Sequence, residues 1–143
     1  MPDDDADKGS AREDLCRFLA ACYYQPGPEF AEEKVFDSMF AAANRIHPDL
    51  AAYARRLGGE FAAEGAENLL LDYTRLFLGP TQAVALPYGS VWLEKDKTLM
   101  SDSTMAVQAL YEEGGFEIDE EFRELPDHVA AELEFLFLLI FRE

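Results

Sequence analysis

Apolar side chains recur at three- and four-residue spacing along most of this chain, and that period commits it to helices. Leu15, Phe18, Leu19 and Cys22 share one face, and Leu69, Tyr73 and Leu76 run beside Leu70 and Phe77 as adjoining rows of one stripe. Val129, Leu133, Leu136 and Ile140 repeat the pattern near the end. Alternating patterns that would build strands are essentially absent and there is no internal repeat, so the expected fold is all-α, a multi-helix globular bundle. At 143 residues the chain is one domain's worth, able to bury about two-thirds of the surface its unfolded form exposes.

Residues 1–11 are acidic, small and aperiodic, which predicts a disordered tail, with order beginning near Arg12 and a single domain over 12–143. Pro26-Gly27-Pro28 should close the first helix. A second should run from about Glu29 to Arg45 with Phe36, Met39 and Phe40 inward. A third should start at His47-Pro48-Asp49 and end at Gly58-Gly59, since a glycine pair is a common way to finish a helix. The cleanest amphipathic stretch is Glu64 to Leu78, stopped by Gly79-Pro80. Thr81 to Leu93 reads as a long loop whose Leu86, Tyr88, Val91 and Trp92 must pack down or bind something. Ser101-Asp102-Ser103 offers a cap for a helix reaching Gly114-Gly115.

Charge excludes one class of partner. Twenty-nine acidic residues against twelve basic ones leave a net charge of −17, which repels phosphate backbones and argues against nucleic acid. A basic peptide is the natural complement; ordinary solvation, or adaptation to high salt, is the plainer account. Acids at Asp3, Asp4, Asp5, Asp7, Glu13 and Asp14 stand where a secretory signal would need positive charge, so a cytoplasmic protein is expected. The longest apolar run, Phe135 to Phe141, falls far short of the roughly 20 residues a bilayer span requires. Cys16 and Cys22 fit neither a redox pair nor a zinc knuckle and read as core thiols.

Reactive groups and apolar surface converge on Leu125 to Leu136, a turn bearing Asp127 and His128 that feeds into an apolar helix with Glu132 on its first turns. These three residues are placed to meet a charged partner. His128 and Glu132 sit four apart on one face, yet no second histidine lies near, so no metal is expected. Asp127 equally suits a helix cap, with Pro126 before it. Gly58-Gly59 and Gly114-Gly115 lack the Lys-Ser/Thr of a phosphate loop. A Ser-His-Asp triad can be assembled on paper from Ser90, His128 and an acid, but no spacing singles one out.

Four stretches in order resemble the TorD/DmsD/NarJ-like chaperones that mature molybdenum-containing oxidoreductases: Asp14 to Tyr24 followed by Pro26, Tyr73 to Pro80, Leu86 to Trp92, and Glu124-Leu125-Pro126-Asp127-His128 with Glu132-Leu133. The resemblance implies an all-helical chaperone and not an enzyme. Such proteins bind the twin-arginine signal peptide, or another N-terminal segment, of a partner enzyme until its molybdopterin cofactor is inserted. It carries peptide binding over to Pro87, Tyr88, Ser90, Pro126, Asp127 and His128. Physically, Asp127 and Glu132 suit a guanidinium, and Leu76, Phe77, Tyr88 and Trp92 suit the apolar stretch of such a peptide lying as a helix in a groove. No cofactor is expected; a weak GTP interaction is implied by the family alone and no residue argues for it.

This sequence departs from the family pattern at Leu86, where a proline is usual, and at Leu125, and relatives continue with further helices where this chain stops at Glu143. Phe135 to Phe141 crowd nearly every face of the last helix, which predicts self-association, with a homodimer of exchanged helices as the form the family implies. Two other readings stay open: a generic acidic helical adaptor for another basic amphipathic segment, and a hydrolase using His128 with Asp127 or Glu132 as base.

Overall fold

The structure, a computed structural model, describes residues 2–79 and 81–143. Among them regular structure is helical: α1 (Pro2–Ala21), α2 (Glu29–Glu32), α3 (Val35–Ile46), α4 (Pro48–Glu64), α5 (Ala66–Tyr73) continued by a π-helical turn over Thr74–Leu78, α6 (Gly89–Leu93), α7 (Asp102–Glu113) and α8 (Val129–Phe141). The expected all-α class is what the chain adopts. No described helix is long and apolar enough to cross a membrane.

Helix α1 is the central member, packed against α8 on one side and α3 on the other, while α3 packs in turn on α4. Small residues let the helices approach. Ala11 and Ala20 of α1, Ala42 and Ala43 of α3, and Ala51 and Ala54 of α4 are all buried. Met39 fills the middle of this contact, with Leu15, Phe18, Cys22, Phe36 and Phe40 packed around it. Both cysteines are free. Burial pushes the Cys22 thiol up to about 11, which suits a core residue better than a nucleophile.

The structure differs from the sequence expectation at several places, α6 within the expected Thr81 to Leu93 loop among them. The acidic opening, expected to be without order over residues 1–11, is helical from Pro2; Met1 lies outside the described residues. Proline suits a first helical turn, Ala11 is fully buried, and Arg45 donates to the Asp7 carbonyl at 2.9 Å and pairs with its carboxylate. The guanidinium holds the Asp7 carboxyl below its ordinary range.

The helix expected from Glu29 to Arg45 is broken by Lys34, whose φ of 50° is left-handed. The break brings buried Phe30 to within 6.1 Å of Phe36 and 6.2 Å of Phe61, ring to ring, and those two lie 5.0 Å apart. Aromatic packing of this kind offsets a single strained residue.

Gly58-Gly59 does not end a helix, since α4 runs through both to Glu64. Gly58 serves close approach, because a Cβ there would lie 3.1 Å from the Phe36 Cβ. The helix starts as expected, with Pro48 in its first turn and the His47 ring accepting the Asp49 N–H at 3.1 Å.

The stripe expected over Glu64 to Leu78 is interrupted at Gly65, where α4 gives way to α5, and is completed by the π-helical turn. Gly79, at φ 100°, ends it as expected, and Pro80 lies outside the described residues. The widened turn leaves carbonyls that the following segment takes up, with Ala85 N–H donating to the Leu76 carbonyl at 2.7 Å. Ser101 caps α7 in a reciprocal box with Thr104. The end of α8 is tied to α7 by Arg142, which donates to the Gly114 carbonyl at 2.8 Å and lies 4.0 Å over the Phe116 ring.

Candidate functional site

Two segments distant in sequence meet at one antiparallel bridge. Pro87 and Pro126 lack the N–H a helix would use, so each segment arrives extended. Tyr88 (φ −120°, ψ 130°) and His128 (φ −60°, ψ 132°) pair across the gap. Gly89 N–H donates to the Asp127 carbonyl at 3.0 Å, and Val129 N–H donates to the Pro87 carbonyl at 2.9 Å.

A helix begins just past the bridge on each side, and its first N–H groups need acceptors. Asp127 serves α6, its Oδ2 accepting the Ser90 N–H at 2.7 Å. His128 serves α8, its Nδ1 accepting the Ala130 N–H at 3.1 Å. Asp127, which by spacing suited a cap on its own helix as well as a binding role, has a carboxylate that reaches across to the other helix, and His128 is the cap at home. The Ser90 hydroxyl has no hydrogen-bond partner, so the triad of Ser90, His128 and an acid is not assembled.

The bridge is walled by aromatic rings. Tyr24 stacks on His128 at 6.5 Å, while Tyr88 and Phe122 present edges at 5.3 and 6.1 Å. Tyr111 OH donates to the Pro126 carbonyl at 2.7 Å, Tyr24 OH to Glu134 Oε1 at 2.8 Å, and Tyr88 OH to the Glu124 carboxylate. Sequence reading left Tyr24, Tyr111 and Glu124 out of the candidate site, although Tyr24 and Glu124 stood inside two of its four motifs. Nothing in the periodicity of α7 separates Tyr111 from any other core residue.

Ser90, Asp127 and His128 are buried, at 0%, 1% and 3% exposure. Pro87, Tyr88, Pro126 and Glu132 are half-buried around them, and Trp92 stands 66% exposed with its indole N–H donating to the Leu86 carbonyl at 2.9 Å. Glu132 lies near, its Oε1 3.5 Å from where a Gly89 Cβ would sit. Burial pushes its carboxyl up, and the neighbouring Asp127 charge adds to this.

Leu76 and Phe77 are not part of this cluster. They line a separate groove of about 330 Å³ whose floor is Phe30, Phe61, Leu69 and Tyr73 and whose edge carries Glu60, Glu64 and Asp72. The doublet at the end of α1 joins the two places: Tyr24 stacks on His128, and Tyr23 packs on Phe77 at 5.8 Å. The Glu124 charge reaches the Tyr73 hydroxyl in the groove as well as Tyr88 and Tyr24, helping to hold all three phenols protonated; burial is the larger cause in each. Among the described residues, no group of three or more His, Cys, Asp or Glu side chains is disposed to hold a metal.

His128 carries a pH signature. Burial lowers its pKa below the ordinary 6.5, winning over Glu124, Asp127 and Glu134, which pull it up. Protonation would also destroy the Nδ1 acceptor that caps α8. The unfolded chain therefore binds a proton that the folded chain refuses, and this contribution to stability is present above pH 6.5 and lost as pH falls from there through the folded value. Glu132 acts in the opposite sense, since its raised pKa costs stability as pH rises from 4.5 through its folded value. Denaturant titrations below pH 6.5 should show a fall in stability for the native chain that is absent in His128→Asn, which keeps a capping side chain. An identical fall in both would place the titration elsewhere.

Residues 37–143 match the profile of the family described as nitrate reductase delta subunit. The chain belongs to that family. Within the TorD/DmsD/NarJ-like group it is 36% identical over 71 residues to the Tat proofreading chaperone DmsD of Salmonella typhi, a match covering 50% of this chain and 35% of that protein. It is 30% identical over 112 residues to the chaperone protein TorD of Vibrio vulnificus, covering 78% of this chain and 52% of that one. The matches thus span about half or less of these curated relatives' own length. The fold is shared with the crystal structure of a candidate redox enzyme maturation protein from Archaeoglobus fulgidus, with a TM-score of 0.60 at 23% identity over 90% of this chain and 70% of that one. The curated relatives of this family member, DmsD and TorD, are chaperones, not enzymes.

Proposed function

We propose that the protein is a cytoplasmic chaperone that binds the twin-arginine signal peptide of a molybdopterin-containing oxidoreductase, holding it while the cofactor is inserted and before export. The observation that carries this reading is the apolar groove edged by Glu60, Glu64 and Asp72. A signal peptide presents two arginines beside an apolar stretch. The stretch would lie as a helix against Tyr73, Leu76 and Phe77, and the rim carboxylates would take the guanidinium groups through charge-assisted hydrogen bonds. Tyr88, Trp92 and Glu132 would meet the remainder of the peptide beyond Tyr23 and Tyr24. The names of the relatives, a Tat proofreading chaperone among them, support the same reading, and the net charge of −17 favours encounter with a basic segment.

Calorimetric titration with a synthetic peptide carrying adjacent arginines and an apolar segment tests this. Saturable binding is expected, weakened when both arginines become alanine. Equal binding of a lysine version would favour a generic adaptor for basic amphipathic segments, and no binding by the folded chain would sink the signal-peptide reading. Self-association belongs to the proposal too, since Leu136, Leu139 and Phe141 of α8 remain exposed; light scattering on the same samples should report more than one chain per particle.

A further inference from the structure

We infer that Asp127 is a positioning residue for peptide recognition, holding the α6 platform that presents Trp92 and Leu93, and is not itself the partner of a peptide arginine. This rests on the peptide-binding reading above and assigns Asp127 a different part in it.

Three observations converge. Asp127 is 1% exposed, as deeply buried as its neighbours Ser90 and His128 at 0% and 3%. A guanidinium arriving from solvent meets Glu124 first, which is exposed and whose carboxylate takes the Tyr88 hydroxyl beside the bridge. Helix α6, in turn, cannot stand alone. It has five residues, and its N-cap residue Tyr88 makes no capping hydrogen bond. A helix that short does not form without outside contacts. Asp127 supplies them twice, its carbonyl taking the Gly89 N–H at 3.0 Å and its Oδ2 the Ser90 N–H at 2.7 Å. Finally, α6 displays apolar surface that the fold leaves uncovered, with Trp92 66% and Leu93 76% exposed. The direction in which those side chains face is therefore set by a buried carboxylate.

The atoms also say what a conservative change should do. Asp127 Oδ2 is used, while Oδ1 is buried without a hydrogen-bond partner, as is Ser90 Oγ. In Asp127→Asn, the amide oxygen can keep the Ser90 N–H, and the new NH₂ takes the place of an oxygen that has no hydrogen-bond partner to lose. Asp127→Ala loses the acceptor outright and strands the Ser90 N–H in a buried place.

The test compares native chain, Asp127→Asn and Asp127→Ala by titration with the twin-arginine peptide and by hydrogen exchange at the Gly89 and Ser90 amides. Asp127→Asn is expected to bind within about threefold of the native chain. Asp127→Ala is expected to bind about tenfold more weakly, the worth of one buried hydrogen bond, with Ser90 exchange accelerated by a similar factor. A direct charge partner would give another pattern: Asn binding as weakly as Ala, although its Ser90 amide exchanges as slowly as in the native chain. That result would overturn the assignment. If Asp127→Ala does not fold, the Asn variant decides alone, since loss of tenfold or more in a folded Asn protein refutes positioning. If the native chain binds no peptide, the signal-peptide reading falls, while the exchange rates still show whether Asp127 holds α6.

Discussion

Reversing the two acids that face the groove from α4, Glu60→Lys with Glu64→Lys, should weaken twin-arginine peptide binding about 100-fold. Both side chains are exposed on the last two turns of one helix, four residues apart, so a peptide arginine lying along the rim passes both. An exposed ion pair is worth at most about 1 kcal/mol, and each reversal replaces that attraction with repulsion of similar size. Two reversals thus account for roughly 3 kcal/mol, or about two powers of ten. Lysine is as good a helix former as glutamate, so circular dichroism and thermal midpoint should hardly move. The native complex should weaken steeply with added salt, and the reversed one should not. Calorimetry at low and moderate ionic strength reads both effects, and an unchanged Kd in the double variant would remove the groove from the recognition surface.

The largest effect on stability is expected at Met39. Its side chain is 2% exposed and fills the contact between α1, α3 and α4. Around it the helices meet through alanines, Ala43, Ala51 and Ala54. Leu15, Phe18, Phe36 and Phe40, which pack against this cluster, are held on helices whose separation the buried alanines fix, so a hole at Met39 closes only in part. Met39→Ala should therefore cost about 3 to 4 kcal/mol, near the upper part of the range for such truncations, and lower the melting temperature by roughly 10 °C for a domain of this size. Urea unfolding should show a lower midpoint at unchanged slope. Tyr53→Ala, at a side chain 65% exposed on the far face of α4, should change stability by less than about 0.5 kcal/mol. A Met39→Ala protein as stable as the native chain would mean that this contact relaxes freely and is not the core.

These predictions divide along the line between local and long-range information. Period alone was enough to place the helices bearing Leu15 to Leu19, Met105 to Tyr111 and Val129 to Ile140, because a half-buried helix must repeat its apolar face every three or four residues. The Ser101 cap and the Pro48 start were legible for the same local reason. Gly58-Gly59 misled because a glycine that ends a helix and one that admits a neighbouring ring look alike in a string of letters; Phe36, on another helix, decides between them. Lys34 carries no local mark of a break, since the reason for it is Phe30 meeting Phe36 and Phe61.

The candidate site divides in the same way. Asp127, His128, Tyr88, Ser90 and Pro87 were named from their motifs and do come together across one bridge. The sequence could not tell that the acid and imidazole are spent on two helix starts, nor that Leu76 and Phe77 belong to a different groove with Glu60 and Glu64 at its edge. By itself the sequence determined an all-helical chain, its strongly acidic surface, and which short stretches hold the reactive groups, all of which follow from residue type and local spacing. The tertiary structure decided which of those groups face solvent and which are buried acceptors, because burial and hydrogen-bond partners depend on what the chain brings alongside from tens of residues away.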